Sequence, residues 1–243
     1  MWPAAAEQSQ ASTWCVRKDT QAISADLSIS GCTTVIQSGN ETQENLAFTF
    51  NNRGSAYYDK GDNDRAIQDY DQAIRLKPDD ASAYYRRGSV RGFLGDNVRA
   101  IDDFSKGIEL NPKLGSAYSL RGYSRGVLGQ YDLAERDQQI ALELAKNEKW
   151  ENYQAWVLQS YADLWRRRRD FEKALTYCEK ALLLKPYALV YFRRAWIYLD
   201  MGRHAEAKAD FDTFAQEMER QGIQYTVFWP DERGALARLR ELR

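Results

Sequence analysis

The sequence predicts an all-α protein made of consecutive pairs of antiparallel helices. A segment of 34 residues repeats along the chain, as 47–80, 81–114 and 115–148. Within each copy, apolar residues recur at three- and four-residue spacing, which is the period of an amphipathic α-helix. One such helix pair cannot bury its apolar faces alone, so we expect successive copies to stack along one axis.

Composition excludes several classes of protein. The chain has 243 residues, 28% charged residues and a formal net charge of -1, a balance that argues against nucleic-acid binding. No apolar run approaches the ~20 residues that cross a bilayer, so we do not expect an integral membrane protein. The single histidine, His204, and three cysteines argue against zinc and non-haem iron sites, and we expect neither metal nor cofactor.

Residues 1–46 precede the first full copy, and we expect them to form an arm and a capping helix. The stretch 27–39 aligns with the second helix of a repeat, with Ile36 in the place of Ile74. An end repeat otherwise exposes an apolar face, so an unpaired helix at this end is suited to cover the array.

Small residues and prolines hold fixed places in the repeats. The eighth and twentieth positions are small, which lets two crossing helices approach closely; they are Gly54, Gly88, Gly122, Ala66, Ala100 and Ala134. The fifteenth position is a glycine, which ends the first helix in a left-handed conformation: Gly61, Gly95 and Gly129. A proline after the second helix, Pro78 or Pro112, blocks its continuation.

Two less regular copies follow, at 155–187 and 188–221. Residues 149–154 separate the third copy from the fourth. Residues 222–243 are expected to form a C-terminal capping segment, because Asp231 is suited to begin a last short helix with apolar Leu236 and Leu239.

A 34-residue helix–turn–helix with these slots resembles the tetratricopeptide repeat (TPR). The resemblance spans 47–221, and three adjacent copies in register make it specific. It implies a right-handed α-α superhelix, a TPR solenoid, whose concave face is built from the first helix of each pair. The N-terminal pattern, WC followed by GCT and an NNRG-type repeat, is also similar to secreted TPR proteins of Gram-negative bacteria.

The cysteines and the N-terminus suggest an oxidising compartment. We expect a disulfide between Cys15 and Cys32 that ties the polar arm to the capping helix; the alternative is two reduced thiols. Cys178 is expected to be buried and unpaired. The small residues near the start resemble the end of a secretory signal, so we expect a periplasmic or secreted protein whose signal peptide is already removed.

A charge pattern also repeats in register. Arginine occupies the seventh position and aspartate the twenty-third: Arg53, Asp69, Arg87, Asp103, Arg121, Asp137, Arg194 and Asp210. The fourth copy has Tyr161 and Tyr177 instead. Because both members are gained and lost together, we expect the two groups to form structural ion pairs; the alternative is two independent surface preferences.

The TPR resemblance implies which residues line the concave groove. The predicted partner-binding residues are Asn51, Asn52, Ser55, Tyr58, Tyr85, Arg86, Ser89, Ser119, Tyr123, Trp156, Gln159, Asp163, Arg166, Phe192, Arg193 and Trp196. Tyrosine, tryptophan and arginine dominate binding hot spots. Of the five positions that correspond to the carboxylate clamp of chaperone co-factors, only Arg86 is basic, which argues against recognition of chaperone tails.

Two further features leave alternatives open. The run Arg166–Arg169 is either a site for an anionic partner or a solvated helix end, where cations are favoured. The tryptophans of the C-terminal half either repack an irregular array or form a self-association patch; they are Trp150, Trp156, Trp165, Trp196 and Trp229.

No nucleophile and base are spaced for catalysis, so we expect no enzyme. The sequence predicts a non-catalytic scaffold of the bacterial envelope that binds a protein or peptide segment in its groove. The alternative is a structural module that forms a homodimer through its Trp-rich half or its end helices.

Overall fold

The structure, a computed structural model, describes residues 12, 13, 15, 24–147, 151–184 and 188–220. In these ranges it contains no strand and eleven α-helices: α1 Ala25–Ser38, α2 Gln43–Asp59, α3 Asn63–Leu76, α4 Ala81–Phe93, α5 Asn97–Leu110, α6 Gly115–Val127, α7 Tyr131–Asn147, α8 Glu151–Arg167, α9 Phe171–Leu184, α10 Ala188–Asp200 and α11 His204–Arg220. The predicted all-α class is confirmed. The predicted capping segment 222–243 lies outside the described residues, as do Trp150 and Trp229.

The chain forms two compact units, residues 1–92 with 102–112 and residues 93–101 with 113–243. In the first unit, α1 packs on α2 and α2 on α3. In the second unit, each helix from α6 to α11 packs on the next, and the first helices α6, α8 and α10 also contact one another in sequence. These are the contacts expected of stacked helix pairs.

Close helix crossings explain the small residues at the eighth repeat position. A Cβ atom at Gly54 would lie 2.8 Å from Tyr70 Cε1 and 3.1 Å from the carbonyl oxygen of Ala66. A Cβ atom at Gly88 would lie 3.0 Å from Phe104 Cε1. These distances leave no room for a side chain, so glycine sets the spacing of the two helices and the aromatic ring fills the crossing.

One turn between the helices of a pair departs from the others. Four turns have a glycine in the left-handed region: Gly61, Gly95, Gly129 and Gly202. The fourth repeat has Arg169 at the equivalent place, with φ 63°. Among the residues that the structure describes, Arg169 is the only one other than glycine with a positive φ.

Two first helices begin one turn earlier than the repeat pattern indicates. The expected start of α2 was residue 47, but the helix begins at Gln43, where the Thr42 hydroxyl accepts a hydrogen bond from the Asn45 amide at 3.2 Å. The expected start of α8 was residue 155, but residues 151–154 already belong to it. The Gln154 amide donates to the Ala145 carbonyl at 3.0 Å, so this extra turn is fixed to the end of α7.

The apolar core of the second unit runs along the helix pairs. Leu158, Trp165 and Ala174 belong to one cluster that α10 completes with Val190 and Ile197. Cys178 lies in the same cluster as a buried free thiol, and burial raises its pKa to about 12. No helix in the described ranges combines the length and the apolar character needed to cross a membrane.

Candidate functional site

Four arginine–aspartate pairs join the two helices of a repeat. In each, the Nε and Nη2 groups of the arginine donate to the two carboxylate oxygens of the aspartate 16 residues later. The two distances are 2.8 and 2.8 Å for Arg53–Asp69, 3.0 and 2.6 Å for Arg87–Asp103, 2.9 and 2.7 Å for Arg121–Asp137, and 2.6 and 2.7 Å for Arg194–Asp210. All four aspartates are buried. The structure thus brings together every pair that the charge pattern indicated.

The same arginines reach back to the preceding helix in the first unit. Arg87 Nη1 donates to Asp71 at 2.5 Å, and Arg53 Nη1 donates to the Thr33 hydroxyl on α1 at 3.1 Å. Thr33 therefore occupies in the capping helix the place that Asp71 occupies in the first repeat. One guanidinium joins its own helix pair to the element stacked before it.

An aromatic ring at the fourth repeat position accompanies each arginine, a feature that the sequence analysis missed. The distances from guanidinium to ring centre are 5.4 Å for Arg53–Phe50, 5.5 Å for Arg87–Tyr84, 5.5 Å for Arg121–Tyr118 and 5.7 Å for Arg194–Tyr191. The fourth repeat, which lacks the arginine, has Leu158 at this position. The recurrence of an aromatic residue at the fourth position of four repeats is the sequence signal from which these contacts could have been predicted.

The fourth repeat replaces its ion pair with a ring stack. Tyr161 and Tyr177 lie with ring centres 4.3 Å apart and an interplanar angle of 13°. Burial of Tyr161 raises the pKa of its hydroxyl, and repulsion between its phenolate charge and that of Tyr177 raises the pKa further. At these two repeat positions, uncharged rings therefore take the place of the ion pair.

A buried carboxylate, Asp163, organises the cations of the fourth and fifth repeats. Arg166 donates to Oδ1 at 3.1 and 3.0 Å, Arg167 donates to Oδ2 at 2.6 Å, and Arg193 lies 3.7 Å from Oδ1. Burial opposes the ionisation of Asp163, which is 2% exposed, but the charges of these arginines outweigh it and hold its pKa well below the usual range. Arg166 and Arg167 are held in this way, so they do not form the solvated helix end that was one interpretation of the arginine run.

Five predicted groove residues are buried, among them Asp163, which corrects their assignment as partner-binding. Asn51 donates to Asp80 at 3.2 Å, and Ser119 donates to the Gln138 side chain at 3.1 Å. Phe192 packs on Phe214 with ring centres 5.0 Å apart, and Gln159 is 4% exposed. Repeat position identifies the helix face, but the neighbouring helix decides how deep that face lies.

The other predicted groove residues remain partly exposed. In the first unit they are Asn52, Ser55, Tyr58, Tyr85, Arg86 and Ser89, and in the second they are Tyr123, Trp156, Arg166, Arg193 and Trp196. Arg86 donates to the hydroxyls of Ser55 and Ser82, which ties α4 to α2. Arg166 lies 4.8 Å from the ring centre of Trp196, so this pair spans α8 and α10. Each unit therefore presents arginine and aromatic side chains on its first helices.

The structure contains the disulfide that the sequence analysis predicted. Cys15 and Cys32 form a disulfide with their Cα atoms 4.6 Å apart, and both are buried. The bond joins Cys15 to α1. Within the described ranges no group of three or more His, Cys, Asp or Glu side chains is placed to hold a metal ion.

Models of known families match parts of the chain. A family model described as TPR repeat matches residues 54–92, and one described as tetratricopeptide repeat matches 81–114 and 188–214. A comparison with curated proteins finds no significant match.

Solved structures share the fold. A tetratricopeptide repeat protein from Parabacteroides merdae superposes with a TM-score of 0.66 at 21% identity, over 79% of this chain and 73% of its own. MamA from Desulfovibrio magneticus RS-1 has a TM-score of 0.56 at 20% identity, over 74% and 98%. YrrB, described as a TPR protein with an unusual peptide-binding site, has a TM-score of 0.52 at 21% identity, over 76% and 91%.

These matches agree with the internal repeat and with the stacked helix pairs. At such identities the solved structures show the fold alone, while the family models identify the repeats themselves. The chain therefore contains tetratricopeptide repeats, within 54–114 and 188–214, in a fold that solved TPR proteins share.

Proposed function

We propose that this protein is a non-catalytic interaction scaffold that binds an extended segment of a partner protein on the exposed faces of its first helices. One observation carries the proposal. The small and apolar residues of the helix pairs pack between the helices. Partly exposed arginine and aromatic side chains remain on the first helices of both units. Such side chains supply most of the binding energy at protein interfaces.

In the first unit, contacts within the protein position the side chains of the candidate surface. Arg86 is fixed by two serine hydroxyls, and Ser55 also lies 3.2 Å from the Tyr70 hydroxyl in the crossing. Tyr85 packs beside Phe104 with ring centres 6.2 Å apart. A surface that is ordered in advance loses little side-chain entropy on binding, which favours affinity.

The similarity to YrrB agrees with this proposal at the level of the fold. That protein is described as having a peptide-binding site. Fold alone does not define a function, so the argument for this chain depends on its own exposed side chains.

We place the protein in the bacterial envelope. The disulfide between Cys15 and Cys32 supports an oxidising compartment, because cytosolic thiols are kept reduced. Fractionation of the native cells should recover the chain with periplasmic markers. Recovery with cytoplasmic enzymes would contradict this location.

Photo-crosslinking in the native cell tests the binding surface. A photoreactive phenylalanine at position 85, in the first unit, should crosslink to a partner protein, and so should one at position 196, in the second unit. The same group at Gln68 on α3 or at Glu179 on α9, both exposed on second helices, is the matched control and should give little of either product.

Two outcomes would contradict the proposal. A partner crosslinked only from the second helices would place the interface on the other face. A product made only of two copies of this chain, together with a dimeric mass by light scattering, would favour the alternative function of a homodimer.

A further inference from the structure

A cationic cleft lies in the second unit, beside the face described above. Its volume is about 280 Å³, and its polar lining includes Tyr131, Arg166, Arg167, Arg169 and Asp200. Three arginines thus face one aspartate. The cleft is smaller than a typical small-molecule site, roughly 300–1,000 Å³, and its size suits one or two side chains of a partner.

Arg169 enters this cleft from a backbone conformation that favours glycine. The four equivalent turns have glycine, and a Cβ atom at Gly129 or Gly202 would meet nothing within 4 Å. The space admits a side chain, but the left-handed backbone disfavours most residues other than glycine, asparagine and aspartate, arginine included. The turn itself therefore does not explain the arginine, and strained residues of this kind are typical of functional sites.

Arg166 and Arg167 are oriented from behind the cleft. Asp163 binds both from behind, while Asp200, which lines the cleft, accepts a hydrogen bond from Arg166 Nη1 at 2.7 Å. Asp163 and Asp200 together use three of the five N–H groups of the Arg166 guanidinium. A planar guanidinium fixed in this way is suited to bind a carboxylate through parallel hydrogen bonds.

We propose that this cleft binds an acidic side chain, aspartate or glutamate, of the partner segment. Arg169, which stands where the other repeats have a glycine, supplies an additional positive charge for this binding. The inference depends on the proposed scaffold function and names the chemistry of its partner. Asp200 occupies part of the site in the absence of a partner, since its carboxylate accepts the hydrogen bond that an incoming carboxylate would take.

Binding of a labelled peptide with six consecutive glutamates, measured by fluorescence polarisation, tests the proposal. A peptide with six glutamines is the control ligand and should bind much more weakly. The R169Q variant should bind the glutamate peptide about threefold to tenfold more weakly, as loss of one charged hydrogen-bonding group predicts. The D200N variant should bind it more tightly.

Arg168 provides a matched control on the same turn. Its guanidinium pairs with Glu135 at 3.1 Å and does not line the cleft, yet R168Q removes the same charge. We expect R168Q to bind the glutamate peptide as the wild type does. If R168Q and R169Q weaken peptide binding equally, binding depends only on the net charge of the protein, and the proposal is wrong.

The R169G variant separates binding from stability. It should bind the glutamate peptide less well and yet melt at a higher temperature, because glycine relieves the left-handed backbone. A lower melting temperature with unchanged peptide binding would assign Arg169 a structural role instead.

Anionic vesicles complete the test. If phosphatidylglycerol vesicles bind in a way that depends on Arg169 and the glutamate peptide does not, the acidic-segment proposal is wrong. Crosslinking from position 85 does not depend on this cleft, so it can succeed while the peptide assay fails. That combination would reject only the inference about the cleft.

Discussion

Arg87 donates from Nε and Nη2 to the two carboxylate oxygens of Asp103, at 3.0 and 2.6 Å, and so joins α4 to α5. Arg91 donates to the same carboxylate at 2.8 Å. The carboxylate is 4% exposed, so its charge is compensated by these arginines rather than by water. A bidentate pair also fixes the relative position of the two helices.

Asp103→Asn should therefore destabilise the protein strongly. It removes the carboxylate that two largely buried guanidiniums bind and leaves Arg87 with Asp71 alone. We expect a loss of about 3 kcal/mol in the free energy of unfolding, measured in urea. The neighbouring exposed residue gives the control, Asp102→Asn, which should change the free energy by less than about 0.5 kcal/mol. Equal effects of the two substitutions would show that the pair contributes little.

The Tyr161–Tyr177 stack should be interchangeable with the ion pair of the other repeats. Tyr161→Arg or Tyr177→Asp alone places a charge in the core without its counter-ion, so each should destabilise. The double variant should be more stable than the sum of the two effects by at least about 1 kcal/mol, because the pair can then form. Simple additivity of the two substitutions in urea unfolding would contradict this equivalence.

Two glycines four residues apart on α6 should respond to alanine in opposite ways. A Cβ at Gly122 would lie 3.1 Å from the Ala134 carbonyl oxygen, so Gly122→Ala should destabilise by about 1–3 kcal/mol. At Gly126 the nearest atom, Leu164 Cδ1, is 3.4 Å away, so alanine should be neutral or stabilising by up to about 1 kcal/mol. Thermal unfolding compares the two, and a more stable Gly122→Ala variant would contradict the tight crossing.

Asp163 predicts a dependence of stability on pH. Its pKa is held below its usual value of 3.8 in the folded state, so its ionised form stabilises the fold at higher pH and loses that effect as acid protonates it. The stability difference between wild type and Asp163→Asn should be large at pH 7 and shrink below about pH 4. A difference that stays constant from pH 7 to pH 2 would show that the carboxylate charge is not what stabilises the cluster.

The disulfide gives a prediction about free thiols. Unreduced protein, denatured and treated with a thiol reagent, should react once, at Cys178, because Cys15 and Cys32 are bonded to each other. The same protein after reduction is the control and should react three times, since the chain has three cysteines. Three reactive thiols before reduction would contradict the bond.

The repeat period explains how much of the fold could be predicted. Residues 34 apart occupy equivalent places, so Arg87 and Asp103 could be paired from their register alone. The contacts of Asp163 could not be predicted in this way, because the equivalent positions of the other repeats have no carboxylate and its arginine partners come from both α8 and α10. The burial of Asn51 could not be predicted either, because the repeat period gives the position of a residue on a helix but not how deeply it is buried. Its partner, Asp80, lies at the end of the repeat.

Binding of the crosslinked partner segment, prepared as a synthetic peptide and titrated by calorimetry, tests the scaffold function most directly. Tyr85→Ala should weaken binding of the segment crosslinked from position 85, and Trp196→Ala binding of the segment crosslinked from position 196. Each loss should be at least about tenfold, the effect of losing a hot-spot side chain, while the helical content stays unchanged. Gln68→Ala on α3 should bind as the wild type does. Wild-type affinity in both first-helix variants would contradict the central claim.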